Sequence, residues 1–67
     1  MKPLALNDNL KKFRKEHNLT QEDVAKAIGS SVAYVGQIEK GEKPNVGIKY
    51  IKPMAELFNV SIETLIN

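Results

Sequence analysis

The chain is predicted to be all-α, a bundle of five short helices. Two observations predict this. Apolar residues recur at intervals of three and four along most of the chain, as one face of a helix requires. Between those runs stand residues that start and stop helices. Thr20, Ser31 and Ser61 suit the starts, and Asn18, Gly29, Gly41 and Asn59 suit the ends.

Met1 to Ala5 reads as an N-terminal arm, because Pro3 discourages helix there. Residues 6–67 form the domain. Asn7 or Asp8 is expected to cap the first helix, since a short polar side chain satisfies its free N–H groups. Leu6, Leu10, Phe13 and His17 then lie on one helical face. Lys11, Lys12 and Lys15 fall on the solvated side. Arg14 sits at the edge of the apolar face, half buried. Asn18 ends the helix in a left-handed conformation, and Leu19 folds back onto the core.

Thr20 opens the second helix. Thr20 and Asp23 make a capping box, in which the hydroxyl accepts the Asp23 N–H and the carboxylate reaches back. Val24, Ala25 and Ile28 supply its buried face, and Gly29 stops it. Ser31 caps the third helix, with Val35 and Ile38 inward and Lys40 and Gly41 at its end. A polar turn follows around Pro44. Ile48 and Ile51 suggest an inward helical turn. Pro53 is expected in the first turn of the fourth helix, with Met54, Leu57 and Phe58 buried. Asn59 is its left-handed stop. Ser61 caps a last short helix carrying Ile62, Leu65 and Ile66, which are either core or a surface for self-association.

Composition narrows the function. The sequence has 67 residues, 42% of them hydrophobic, so one small packed domain is expected. There is no cysteine and a single His, so neither disulfides nor a structural zinc site are expected. Catalysis by nucleophile and base needs paired side chains, and no such constellation stands out. No glycine-rich phosphate loop is present. No metal, cofactor or enzymatic activity is therefore expected. The net charge of +2 is only mildly basic. The start of the chain lacks the apolar run of a signal peptide, and no segment suits a membrane span. A cytoplasmic location follows, and the missing cysteines agree with it.

The motif is Thr20 to Gly41, TQEDVAKAIGSSVAYVGQIEKG. Two helices meeting steeply need a small residue at the contact and a corner residue that takes positive φ. Ala25 and Gly29 meet those needs. The longer run LKKFRKEHNLTQEDVAKAIGSSVAYVGQIEKGEKP resembles the Cro/C1-type (XRE-like) helix-turn-helix family, and the tail AELFNVSIETLI is similar to its closing helices. The resemblance covers about Leu6 to Ile66. It implies a compact, lambda-repressor-like domain of five helices. The third helix would lie in the major groove of DNA and the second would cross the backbone.

With Val35 and Ile38 inward, about 100° per residue places Ala33, Gly36, Gln37 and Lys40 on the opposite side. Base contacts are thus expected from Val32, Ala33, Gly36 and Gln37. Gln37 offers a donor and an acceptor to an adenine edge, and Val32 and Ala33 offer methyls to thymine. Gly36 reads nothing itself but allows close approach of the backbone. In the family the positions of Val32 and Ala33 are often polar; here they are apolar, which implies fewer hydrogen-bonded base contacts. Phosphate contacts are expected from Gln21, Ser31, Tyr34, Lys40, Lys43 and Asn45. The family also pairs Arg and Glu at the positions of Arg14 and Glu39, tying the first helix to the third.

The resemblance implies a transcriptional regulator, most readily a repressor. It would act as a homodimer on an operator-like pseudo-palindrome of double-stranded DNA and be found on the nucleoid. A protein-binding module, antitoxin-like or adaptor-like, is the alternative on the same fold. The close ending after the last helix suits either a minimal regulator or one domain of a longer chain.

Overall fold

The structure, a computed structural model, describes residues 6–43 and 45–67. The expected arm at Met1 to Ala5 and the turn at Pro44 lie outside the described residues. Among the described residues there are five helices: α1 (Leu6–Glu16), α2 (Gln21–Ile28), α3 (Val32–Glu39), α4 (Ile48–Phe58) and α5 (Ile62–Ile66). α2 packs against α3 and α4, and α1 spans α3, α4 and α5. The five enclose one core with Cα radius of gyration 10.5 Å.

That core is drawn from every helix. Leu10, Val24, Val35, Met54 and Leu65 are fully buried, with Ala25, Ile28, Ile38, Ala55 and Phe58 nearly so. Apolar spacing and burial therefore agree along α1, α2, α3 and α5. Leu6, Phe13 and Leu19 pack at its margin. Phe58 is the hub, with ring centroids 5.8 Å from Phe13 and 5.5 Å from His17. His17 is exposed on its outer side and its Nδ1 lies 2.9 Å from the Phe13 carbonyl, where it must donate.

Helix ends follow the chemistry of their residues. Thr20 Oγ1 accepts the Asp23 N–H at 3.1 Å, and the Thr20 N–H donates to Asp23 Oδ2 at 2.9 Å. This closes the capping box of α2. Ser31 and Ser61 cap α3 and α5 by accepting the Tyr34 and Thr64 N–H groups. Asn18 and Asn59 take φ of 56° and 57°, in the left-handed region that Asn tolerates. Gly29 does so at 70° between α2 and α3, where a side chain would be strained.

Four readings of the sequence need correction. Asn7 and Asp8 lie inside the first turn of α1 and so do not cap it. α4 begins at Ile48, which puts Pro53 in the helix interior. Pro53 lacks the N–H that would bond the Lys49 carbonyl, yet the stripe Ile51, Met54, Ala55, Phe58 carries the helix through. Ile48 is 60% exposed and faces outward, and Leu57 is half-buried. Of the α5 residues left open between core and self-association, Leu65 is fully buried and belongs to the core, while Ile62 and Ile66 keep part of their surface exposed.

A tie outside the sequence pattern closes the bundle. Asn9 Nδ2 on α1 donates to the carbonyls of Leu65 at 2.8 Å and Thr64 at 3.2 Å. It satisfies carbonyls at the C-terminal end of α5, which have no partners within so short a helix.

Candidate nucleic-acid interface

The two buried residues of α3, Val35 and Ile38, fix its rotation about its axis. The remaining face then looks away from the core. Val32 is 45% exposed, Ala33 and Lys40 are exposed, and Gly36 and Gln37 are half-buried. Among the described residues none takes a hydrogen bond from, or gives one to, the Gln37 side chain, so its amide is open to a ligand. Lys43 and Asn45 are exposed in the segment after α3.

An ion pair fixes α3 a second time. Arg14 Nε donates to Glu39 Oε2 at 2.6 Å and Nη2 donates to Oε1 at 3.2 Å. Nη1 donates to the Leu19 carbonyl at 3.0 Å. The two side chains are 14% and 6% exposed, so solvent screens the pair little. A planar fork on a carboxylate constrains angle as well as distance. It therefore ties the C-terminal end of α3 to α1 and to the loop before α2.

Gln21 belongs to the same cluster. Its Nε2 donates to Glu39 Oε1 at 3.1 Å. One amide hydrogen is thus engaged, while the other, and the backbone N–H at the start of α2, remain for an anion. The amide also lies beside Gly36, where an added Cβ would stand 3.8 Å from it. That is ordinary van der Waals contact, so packing alone does not demand glycine at this position.

Tyr34 is held as well. Its ring lies 5.1 Å from that of Tyr50 on α4, tilted by 56°. Lys43 Nζ stands 6.0 Å from the Tyr34 ring and Lys49 Nζ stands 5.0 Å from the Tyr50 ring. Two ammonium groups therefore flank an aromatic pair beside the start of α4, whose first turn carries no acidic residue and no side-chain cap. Sequence reasoning missed Tyr50 and Lys49. Periodicity within one helix cannot reveal a pair that forms between helices, although the basic, acid-free start of α4 was a usable signal. Ser31 Oγ caps α3 by accepting the Tyr34 N–H at 3.1 Å, and its hydroxyl donates to none of the described residues.

The capping box of α2 also sets the acidity of Asp23. The Thr20 N–H foremost, then the Thr20 side chain, keep its carboxyl below the ordinary value of 3.8. The negative charge sits at the positive end of α2. Among the described residues, no group of three or more His, Asp or Glu side chains gathers to hold a metal ion. No described helix is long and apolar enough to cross a membrane.

Known proteins share this arrangement. The helix-turn-helix family model matches residues 10–65. An uncharacterized HTH-type transcriptional regulator of Methanocaldococcus jannaschii, MJ0272, is 42% identical over 60 residues, covering 90% of this chain and 89% of its own. A crystal structure of SinR, the master regulator for biofilm formation, in complex with DNA superposes with TM-score 0.83 at 24% identity, covering 91% of this chain and 97% of that one. HppE in complex with substrate carries the same fold over 34% of its chain, with TM-score 0.82 and 21% identity over 92% of this one. The last two likenesses concern the fold alone.

Proposed function

The chain belongs to the helix-turn-helix family, and from that premise we propose that it binds double-stranded DNA sequence-specifically as a transcriptional regulator, acting as a repressor. α3 enters the major groove and α2 crosses the backbone above it. The observation that carries this reading is the outward face of α3. It offers Val32, Ala33, Gly36 and a Gln37 whose amide has no partner among the described residues, on a helix whose rotation is fixed by two buried residues and one ion pair.

Gln37 reads a base edge, and Val32 and Ala33 contact methyls. Gln21, Ser31, Tyr34, Lys40, Lys43 and Asn45 meet phosphates, joined by Lys49 at the start of α4. Arg14 and Glu39 touch no DNA; they position α3. Residues 6–67 act as the binding domain. Two copies bind a pseudo-palindrome as a homodimer, since one α3 spans only a half-site. The protein works at the nucleoid, in the cytoplasm, and needs no catalytic activity or cofactor for this task.

A protein-binding role on the same fold, antitoxin-like or adaptor-like, is the second reading. The exposed Val32 and Ile48 favour it, since apolar surface suits a protein partner. Salt separates the two. Each phosphate neutralised by a Lys or Arg contributes about −0.9 to the slope of log K against log salt. Titration of fluorescent duplex pools at several salt concentrations should give a slope of about −4 or steeper. Absence of duplex binding even at low salt would favour the protein partner.

A further inference from the structure

We propose that the half-site under α3 consists of A·T pairs, with thymine methyls against Val32 and Ala33 and an adenine against Gln37; this rests on the duplex-binding reading above.

The structure removes the other candidates for base reading one by one. Val35 and Ile38 are in the core. Glu39 would accept from cytosine, but Oε2 is taken by Arg14 and Oε1 by Arg14 and Gln21. Tyr34 is packed on Tyr50. What remains is Val32, Ala33, Gly36 and Gln37. None is cationic, and α3 has no Arg or Lys between Val32 and Glu39. The commonest contact to guanine, a cation on O6 and N7, has no source on this helix. Lys40 follows its last residue, at the end opposite to the N-terminal part that enters the groove.

The remaining surface selects by chemistry. Val32 and Ala33 present apolar groups. The thymine methyl covers them, whereas the edges of guanine and cytosine are polar and would lose water without gaining a partner. The Gln37 amide has one donor side and one acceptor side. Adenine answers with the N7 acceptor and the N6 donor. Guanine shows two acceptors, which leaves the Gln37 oxygen opposed. Gly36 lets the backbone between these readers approach without adding a preference.

Selection from a random duplex pool with the intact chain should yield half-sites of A·T pairs. Replacing each thymine by deoxyuridine deletes only the methyl. At the positions under Val32 and Ala33 this should weaken binding about fourfold per methyl. Val32→Ser and Ala33→Ser should each abolish the effect at one position; both sites are exposed, and circular dichroism checks that the fold persists. A guanine fixed in the half-site, or deoxyuridine without effect at every thymine, overturns the proposal while salt-sensitive duplex binding persists. Failure to bind any duplex at low salt overturns the proposal together with the reading beneath it.

Discussion

Arg14 on α1 and Glu39 at the end of α3, 25 residues apart, meet through two parallel hydrogen bonds of 2.6 and 3.2 Å. Removing one partner leaves the other charge largely buried and unpaired. Glu39→Ala should therefore cost about 3 kcal/mol of stability, measured by urea unfolding. The double variant Arg14→Met with Glu39→Leu should recover stability to within about 1 kcal/mol of the parent. Its duplex affinity should stay reduced, because apolar packing does not fix the angle of α3 as a planar fork does.

Gly36→Ala separates stability from binding. The new Cβ meets the Gln21 amide at 3.8 Å and clashes with nothing. Helix propensity then dominates, and unfolding should show a gain of about 1 kcal/mol. Duplex affinity should fall by contrast, since the methyl occupies the surface where the backbone approaches DNA. Equal or better affinity would remove Gly36 from the interface.

The α2 capping box makes stability depend on acid. Asp23 has a folded pKa below its ordinary value of 3.8, so the folded state binds its proton less readily than the unfolded chain does. Its contribution is present above 3.8 and is lost as pH falls through the lowered value. Asp23→Asn keeps a hydrogen-bonding side chain without that titration. The difference in urea midpoint between pH 7 and pH 3 should be smaller in the variant than in the parent.

Pro53→Ala restores an N–H within reach of the Lys49 carbonyl. The regained bond and the relief of ring crowding exceed the extra entropy of the unfolded chain. Thermal unfolding should show stabilisation of about 1–2 kcal/mol, with a heat capacity of unfolding like that of the parent.

Most of the fold was legible because its signals are local. Thr20, Ser31, Gly29, Asn18 and Asn59 act on backbone within a few residues, and all take the cap or turn geometry their chemistry implies. The start of α4 was not legible. Pro53 argues for a later start, and tertiary packing of Ile51 and Met54 overrides it. Asn7 and Asp8 misled for the reverse reason: two good caps stand together, and the helix begins before both. In the candidate site, the face of α3 followed from two inward residues. The Arg14–Glu39 pair was reached through family resemblance. The Tyr34–Tyr50 stack and the bond from Gln21 to Glu39 join different helices, so no periodicity announces them.

The division of labour on α3 is the central claim. It is tested by measuring Kd for Gln37→Ala and Lys40→Ala against the selected duplex and every single base-pair change within it. Gln37→Ala should flatten preference at one position, removing about 1–3 kcal/mol of discrimination there. Lys40→Ala should weaken all duplexes alike and make the salt slope shallower by about 1. Unchanged binding by both variants, or uniform weakening from Gln37→Ala with a positional effect from Lys40→Ala, would contradict the placement of α3 in the groove.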